Sequence, residues 1–180
     1  GQCHINDITA LGTSLIISYF SRSGFWRKGI FDGGVSEMII LLPMGGKGSR
    51  FLNAGYRENK ACIPTTDRRT GRQLPMVICA MQDLPGIESL DNTIVCVDRA
   101  FHQTDGTESL IHQYFPNTVF IHDSVLLDQA YACFLARDFL QTDEDLLIGS
   151  CDSGMLYDPL ALKKAQQASD VLVFSHTYNY

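Results

Sequence analysis

The stretch SEMIILLPMGGKGSRF, residues 36–51, joins an apolar run of strand type directly to a glycine-rich turn that carries two cations, Lys47 and Arg50. Glycine lets the backbone adopt positive φ angles and lets its N–H groups approach a ligand closely. Such N–H groups, with lysine and arginine beside them, form a socket for phosphate. The stretch therefore predicts a β-strand followed by a phosphate-binding loop.

Three other interpretations of this loop are a P-loop, a dinucleotide-binding fingerprint and a plain turn. It does not match a P-loop, because no glycine precedes Gly46 and Lys47 at the spacing that G-x-x-x-x-G-K-[ST] requires. It is a poor dinucleotide fingerprint, because Phe51 stands where the third glycine should be. A plain turn between a strand and a loop remains an open alternative.

Beyond the loop, short apolar segments alternate with amphipathic ones. The predicted strands cover residues 37–42, 93–97, 118–121, 146–149 and 171–174, and the predicted helices lie near residues 75–84, 108–114, 128–140 and 159–168. This alternation predicts an α/β fold with a mostly parallel central sheet and helices on both faces. Ligands of such sheets bind beyond the carboxyl ends of the strands, where both the glycine loop and Asp152 are expected.

Two further segments, KACIP (residues 60–64) and LPMVI (residues 74–78), follow the loop GKGSR (residues 46–50). Together they resemble the opening signature of the sugar-phosphate nucleotidylyltransferases, in which G-x-G-[ST]-R is followed by a lysine, an apolar residue and proline. The chain departs from that pattern at Asn59, where the family usually has proline, and in a longer polar connection, residues 65–73. The resemblance implies a Rossmann-like fold of the nucleotide-diphospho-sugar transferase type.

The segment DEDLLIGSCD, residues 143–152, is a buried-strand pattern that ends in a carboxylate. The family closes its central strand with a similar run and an aspartate that binds magnesium, so the resemblance implies that Asp152 is a metal ligand. Magnesium favours carboxylates together with substrate phosphates. The alternative is an aspartate that only caps the next turn, because Asp-Ser-Gly is typical turn chemistry.

The activity implied by the resemblance is nucleotidyl transfer in nucleotide-sugar and polysaccharide biosynthesis. A sugar 1-phosphate attacks the α-phosphorus of a nucleoside triphosphate, and a nucleotide-sugar and pyrophosphate result. The nucleophile is already an anion, so the enzyme must mainly position two anionic groups and neutralise developing charge. Arg50 and Lys60 are the expected catalytic residues, with Mg²⁺ held by Asp152.

The residues expected to bind the nucleotide are those of the glycine loop and one helical glutamine: Gly45, Gly46, Lys47, Gly48, Ser49 and Gln129. A glutamine amide both donates and accepts hydrogen bonds, so Gln129 is suited to a base edge, although it is equally a polar first-turn residue of an ordinary helix. Asp98 is a second candidate for lining the pocket.

The sequence also gives expectations for three histidines and for the charged residues of the polar connection. The histidines His102, His112 and His122 show no mutual metal-ligand spacing and are expected to be surface or satisfied residues. The charged residues of the connection are expected to form a mobile, solvated loop, with a lid over the anionic substrates as the alternative: Asp67, Arg68, Arg69 and Arg72.

Composition restricts the function classes. The net charge of −6 over 180 residues argues against a general nucleic-acid binder, which would show a basic face. The six cysteines are scattered without a C-x-x-C pair, which favours free thiols in a reducing cytoplasm over disulfides or zinc. No apolar run approaches the length of a membrane span and no signal peptide is recognised, so a cytoplasmic protein without a membrane partner is expected.

The two ends of the chain do not follow the alternating pattern. Residues 1–34 are expected to be the tail of an upstream segment plus a linker, and residues 35–180 the N-terminal part of a nucleotidyltransferase domain. The C-terminal part, with a second acidic metal ligand, is expected beyond residue 180, so this fragment alone is of doubtful catalytic competence.

Two other classes of function remain open. A nucleotide-sugar-dependent glycosyltransferase shares the sheet, but it calls for an Asp-x-Asp motif, and Asp152 is followed by Ser153 and Gly154. A non-catalytic module that binds a nucleotide or nucleotide-sugar is the other alternative.

Overall fold

The computed structural model describes residues 18–20, 38–125 and 128–174, and within them it contains a six-stranded sheet and a two-stranded hairpin. The strands in chain order are β1 (Ser18–Phe20), β2 (Met38–Pro43), β3 (Pro64–Thr66), β4 (Gln73–Pro75), β5 (Thr93–Arg99), β6 (Val119–Asp123), β7 (Asp145–Ile148) and β8 (Val171–Val173). The helices are α1 (Ser49–Asn53), α2 (Met76–Met81), α3 (Thr107–Tyr114), α4 (Gln129–Leu135) and α5 (Pro159–Ala168), with short 3₁₀ helices at Lys60–Cys62 and Ala100–Thr104.

The large sheet has the strand order β6-β5-β2-β7-β1-β8. Its four strands β6, β5, β2 and β7 are parallel, and β1 lies antiparallel between β7 and β8. The hairpin β3–β4 stands apart as a second, antiparallel sheet. The predicted α/β class, with a mostly parallel central sheet of Rossmann type, is confirmed.

Strand β2 is buried because its apolar residues face both sides of the sheet. Ile40 and Leu42 belong to one apolar cluster with residues of α2 and α3, whereas Ile39 and Leu41 belong to a second cluster with Ala132 of α4. Burying one such side chain contributes roughly 1.5–3 kcal/mol. The predicted placement of helices on both faces of the sheet is therefore confirmed.

The strand order reverses direction at β2, which is where an open α/β sheet is expected to have a crevice at its carboxyl edge. From β2 the chain moves outward to β5 and β6, and it then returns to β7 on the other side of β2. Pairing between the two central strands ends as Leu41 meets Ile148, after which Gly149 N donates to Leu41 O at 2.9 Å. Such a reversal of direction is the usual place for a ligand in an open α/β sheet.

Several boundaries differ from the predicted ones for local reasons. Pro159 begins α5 as predicted, and the Asp158 carboxylate caps that helix. Pro75 instead ends β4 and immediately precedes α2, because the polar connection forms the β3–β4 hairpin. Helix α4 ends at Leu135, earlier than the predicted residue 140.

The remaining expectations on organisation concern the chain ends, the cysteines and the membrane. Most of the predicted upstream tail and linker, residues 1–17 and 21–34, lies outside the described residues, and Ser18–Phe20 pairs with β7 and β8. No described helix combines the length and apolar character needed to cross a membrane. The five described cysteines are free thiols: Cys62, Cys79, Cys96, Cys133 and Cys151.

Candidate functional site

The glycine loop starts where β2 ends, and its first residues are held by β5. Met44 N donates to Val97 O at 2.8 Å, and Arg99 Nε donates to Gly45 O at 2.6 Å. Gly48 then adopts φ 60° and ψ 24°, a left-handed conformation that favours glycine, and leads into α1. The loop is therefore a defined turn at the carboxyl edge of the sheet.

Lys60 reaches this loop from a short 3₁₀ helix that Asn59 holds in place. The Asn59 carbonyl Oδ1 accepts from Ala61 N at 3.1 Å, while its Nδ2 donates to Asp105 Oδ2 at 3.2 Å and to Thr107 Oγ1 at 3.0 Å. Asn59 thus ties the turn of Lys60 to the start of α3. The residue that departs from the family pattern has a structural role of its own.

The side chain of Lys60 lies along the two glycines of the loop. A Cβ atom at Gly46 would stand 3.1 Å from Lys60 Nζ, and one at Gly48 would stand 3.5 Å from Lys60 Cβ. The absence of side chains at these two positions leaves room for the lysine stem and its ammonium group. Lys60 therefore presents its charge beside the exposed backbone of the loop.

The ammonium group of Lys60 meets the carboxylate that follows β7. Lys60 Nζ lies 3.0 Å from Asp152 Oδ2, and Ser150 Oγ donates to Asp152 Oδ1 at 2.7 Å. The side chains of Lys60 and Asp152 are 14% and 33% exposed. The structure thus brings together the loop after β2, the aspartate after β7 and a lysine from the intervening chain.

Electrostatics keep both members of this pair charged at neutral pH. Burial alone would raise the pKa of Asp152, but hydrogen bonds from Ser150 and Lys60 outweigh it and the pKa is lowered. Burial alone would lower the pKa of Lys60, but Cys151, once it ionises at high pH, and the Asp152 carboxylate outweigh it and the pKa is raised. Burial raises the pKa of the Cys151 thiol to about 11, so this thiol is neutral at pH 7.

These directions define the pH range in which the pair stabilises the fold. The lowered pKa of Asp152 gives a contribution that is present above the unfolded-state pKa of about 3.9 and lost as pH falls through the folded-state value. The raised pKa of Lys60 gives a contribution that is complete below about pH 10.4 and lost as pH rises through the folded-state value. The pair is therefore intact throughout the neutral range.

The other predicted residues of the loop are present at the same edge without joining the ion pair. Lys47, Ser49 and Arg50 are exposed, and neither cation forms a salt bridge within the described part of the chain. Gln129 is the exposed first residue of α4, which follows β6 and so also begins at the carboxyl edge. No hydrogen bond between described residues connects it to the glycine loop, and its contact with a base stays a prediction.

Asp98, a weaker candidate, is buried at the end of β5. Its Oδ1 accepts from Arg99 N at 2.7 Å and lies 2.8 Å from His102 Nδ1. His102 is therefore a satisfied histidine, as predicted. His112 is also satisfied, because its Nε2 lies 2.9 Å from Thr118 O.

Sequence reasoning missed three residues around the site. Ser150 supports Asp152 and Arg99 supports the glycine loop, and their only signal is a position at or just beyond the end of an apolar strand. Asp83, at the end of α2, pairs with Arg68 and Arg69 of the charged connection. That connection is a hairpin turn in which the buried Asp67 carboxylate accepts from Arg69 N and from Thr70 N.

Substitution by alanine is expected to change stability by different amounts at the two glycines beside Lys60. Gly48→Ala is expected to destabilise the fold by roughly 1–2 kcal/mol, because alanine is strained at φ +60°. Gly46→Ala is expected to change stability by less than about 0.5 kcal/mol, because the new methyl meets only the far end of the long Lys60 side chain, which can give way by a few tenths of an ångström. Urea unfolding of the two variants provides the measurement, and an equal loss in both would contradict the description of the loop.

Searches of protein-family models, curated proteins and solved structures found no match to this chain. The function is therefore inferred from the fold and from the geometry of the site.

Proposed function

We propose that the chain is a nucleotidyltransferase that joins a sugar 1-phosphate to a nucleoside triphosphate, releasing pyrophosphate. The observation that carries the proposal is the contact of Lys60 with Asp152 beside the glycine loop, where β2 and β7 meet. A glycine backbone, a lysine and an aspartate at one sheet edge supply N–H donors, a fixed cation and a hard oxygen ligand.

The residues promote the transfer mainly by binding the anionic substrates and neutralising negative charge. The backbone of the glycine loop and Arg50 hold the triphosphate, and Arg50 draws charge from the leaving pyrophosphate. Lys60 neutralises charge that develops on the phosphate oxygens near the reacting centre. Because the attacking sugar phosphate is an anion, no general base is required, and electrostatic stabilisation provides most of the rate enhancement.

Asp152 fits a magnesium ion that arrives with phosphates. Its carboxylate is partly exposed and is held by one hydroxyl and one ammonium group, while magnesium usually takes one or two carboxylates and completes its shell with phosphates and water. Bound there, magnesium would supply Lewis-acid chemistry that withdraws charge from phosphate oxygens. Asp152 would hold the ion, and Lys60 would place its ammonium group beside the phosphates.

A non-catalytic nucleotide-binding module is the second candidate. Its support is that the glycine loop and the ammonium group of Lys60 suit the binding of phosphates whether or not a reaction follows. A glycosyltransferase is less well supported, because Asp152 is followed by Ser153 and Gly154 rather than by a second carboxylate.

Calorimetric titration with ATP, CTP, GTP, UTP and dTTP, each with magnesium, tests the proposal. One triphosphate is expected to bind, and Arg50→Ala is expected to abolish that binding. Arg57→Ala is the matched control, because Arg57 is also exposed and forms no salt bridge among the described residues.

Turnover then separates the two candidates. Pyrophosphate release on adding sugar 1-phosphates supports the transferase, and binding without release supports the non-catalytic module. If no triphosphate binds, or if Arg57→Ala weakens binding as much as Arg50→Ala, the proposed nucleotide site is wrong.

A further inference from the structure

The turn of the β3–β4 hairpin is fixed to the body of the protein. Within the turn, Thr70 Oγ1 and Thr70 N both donate to the Asp67 carboxylate, and the pKa of Asp67 is lowered chiefly by the hydroxyl bond. Outside it, Arg68 and Arg69 both reach Asp83 at the end of α2, and Arg69 also donates to Gln82 O. The hairpin therefore holds two guanidinium groups in one defined place.

The buried Asp83 carboxylate pairs with two guanidinium groups, although one would neutralise its charge. The side chain of Asp83 is 4% exposed, whereas those of Arg68 and Arg69 are 42% and 56% exposed. Each arginine has five N–H donors, and the bonds to Asp83 and Gln82 use only part of them. The Asp67 carboxylate of the same turn also lies near Arg69, so the group is close to neutral, and what the arginines offer a ligand is the N–H donors that face solvent.

The arginines lie next to the segment that carries Asp152. A Cβ atom at Gly154 would stand 2.6 Å from Arg68 Nη2 and would collide with the Asp83 carboxylate, so the backbone here packs directly on the ion pair. Gly154 is two residues from Asp152, a span of at most about 7 Å. Lys60 thus contacts Asp152 itself, and Arg68 lies beside the segment that follows Asp152.

Transfer between two phosphorylated substrates needs two anion subsites on either side of the metal ligand. The glycine loop with Lys60 supplies the first. We infer that Arg68 and Arg69 form the second, which binds the phosphate monoester of the acceptor. The planar guanidinium fork matches phosphate oxygens and forms strong charge-assisted bonds with them. This inference rests on the proposed transferase function and assigns its second substrate to the β3–β4 hairpin.

The test is titration of the ¹⁵N-labelled chain with inorganic phosphate and with glucose 1-phosphate, followed by NMR at constant ionic strength. Saturable shifts are expected at the amides of residues 68–71 and of Gly154. Arg68→Gln and Arg69→Gln are each expected to weaken binding about ten- to a hundredfold, because each removes a charge-assisted bond. Either variant leaves one arginine to pair with Asp83, which protects the fold.

Two further variants test whether phosphate binding depends on Arg68 and Arg69 themselves, and not only on the net charge of the hairpin or on its packing against Asp83. Arg72→Gln removes the same charge from the same hairpin, and the Arg72 side chain forms no salt bridge among the described residues, so binding is expected to persist. Asp83→Asn keeps an amide oxygen that can accept from an arginine but removes the charge that competes with phosphate, so it is expected to tighten phosphate binding. Equal weakening in Arg72→Gln, or weakening in Asp83→Asn, would overturn the inference.

Triphosphate titrations on the same variants distinguish this inference from the proposed function. Unchanged affinity for the magnesium triphosphate in Arg68→Gln supports an acceptor subsite, whereas an equal loss of both ligands overturns that assignment. If phosphate binds at the hairpin but no triphosphate binds, the proposed function fails while the anion subsite remains. If the triphosphate binds and phosphate shifts no hairpin amide, only the subsite is wrong.

Discussion

Lys60→Met is expected to lower kcat/KM for pyrophosphate release roughly 10²–10³-fold, a loss of about 3–4 kcal/mol of transition-state stabilisation. The Lys60 side chain is 14% exposed and its pKa is raised, so it carries a full charge where little water screens it. Methionine keeps the length of the apolar stem that passes the two glycines but has no ammonium group. The measurement is turnover with the triphosphate that titration identifies.

The same substitution is expected to change stability little. Asp152 is 33% exposed, so water can solvate its carboxylate when the lysine is removed, and the lost pair is expected to cost at most about 1 kcal/mol. Lys164→Met on α5 is the control, because Lys164 is exposed and forms no salt bridge among the described residues. Full activity of Lys60→Met would remove Lys60 from the site, and equal losses in both variants would show a nonspecific effect.

Much of the fold could be predicted from the sequence because its strands are buried on both faces. The run from Met38 to Leu42 has no polar residue, which is typical of a central parallel strand. The position of β1 could not be predicted, since the pairing of a three-residue strand depends on which neighbours the rest of the sheet leaves for it. The expectation of a mobile, solvated loop at residues 67–72 is wrong, because the segment is the turn of the β3–β4 hairpin, in which Asp67 and Gly71 (φ 71°) are typical turn residues.

In the candidate site, Asp152 was predictable from its place after an apolar strand, whereas Lys60, on a short 3₁₀ helix, was predictable only from the family resemblance. The family resemblance pointed to Lys60 and Asp152, and the structure places them 3.0 Å apart. The roles of Arg99 and Asp83 depend on contacts between distant segments, Gly45 with β5 and the hairpin with α2, which no local pattern encodes. The strand order determines which loops become neighbours, so these two roles follow only from the folded structure.

Leu41→Ala is expected to destabilise the chain by about 3–5 kcal/mol, which is a large part of the stability of an ordinary domain. Leu41 is fully buried in β2, between the strands on either side and α4. The facing residues Ala132 and Ala136 are small, so the helix backbone already lies close to the sheet and has little freedom to fill a cavity. Urea unfolding gives the change in the free energy of unfolding, provided that the slope of this free energy against urea concentration is the same in the variant and the unsubstituted chain.

Leu90→Ala is the matched control, because it removes the same atoms from a side chain that is 79% exposed, and its expected effect is within about 0.5 kcal/mol. A loss below about 1 kcal/mol in Leu41→Ala would contradict the assignment of β2 to the centre of the sheet. That result would also undermine the site, because Leu41 O accepts the hydrogen bond of Gly149 N and so joins β2 to the segment that carries Asp152. The crevice exists only if these two strands are neighbours, so the stability of Leu41→Ala tests the premise of every functional proposal made for this chain.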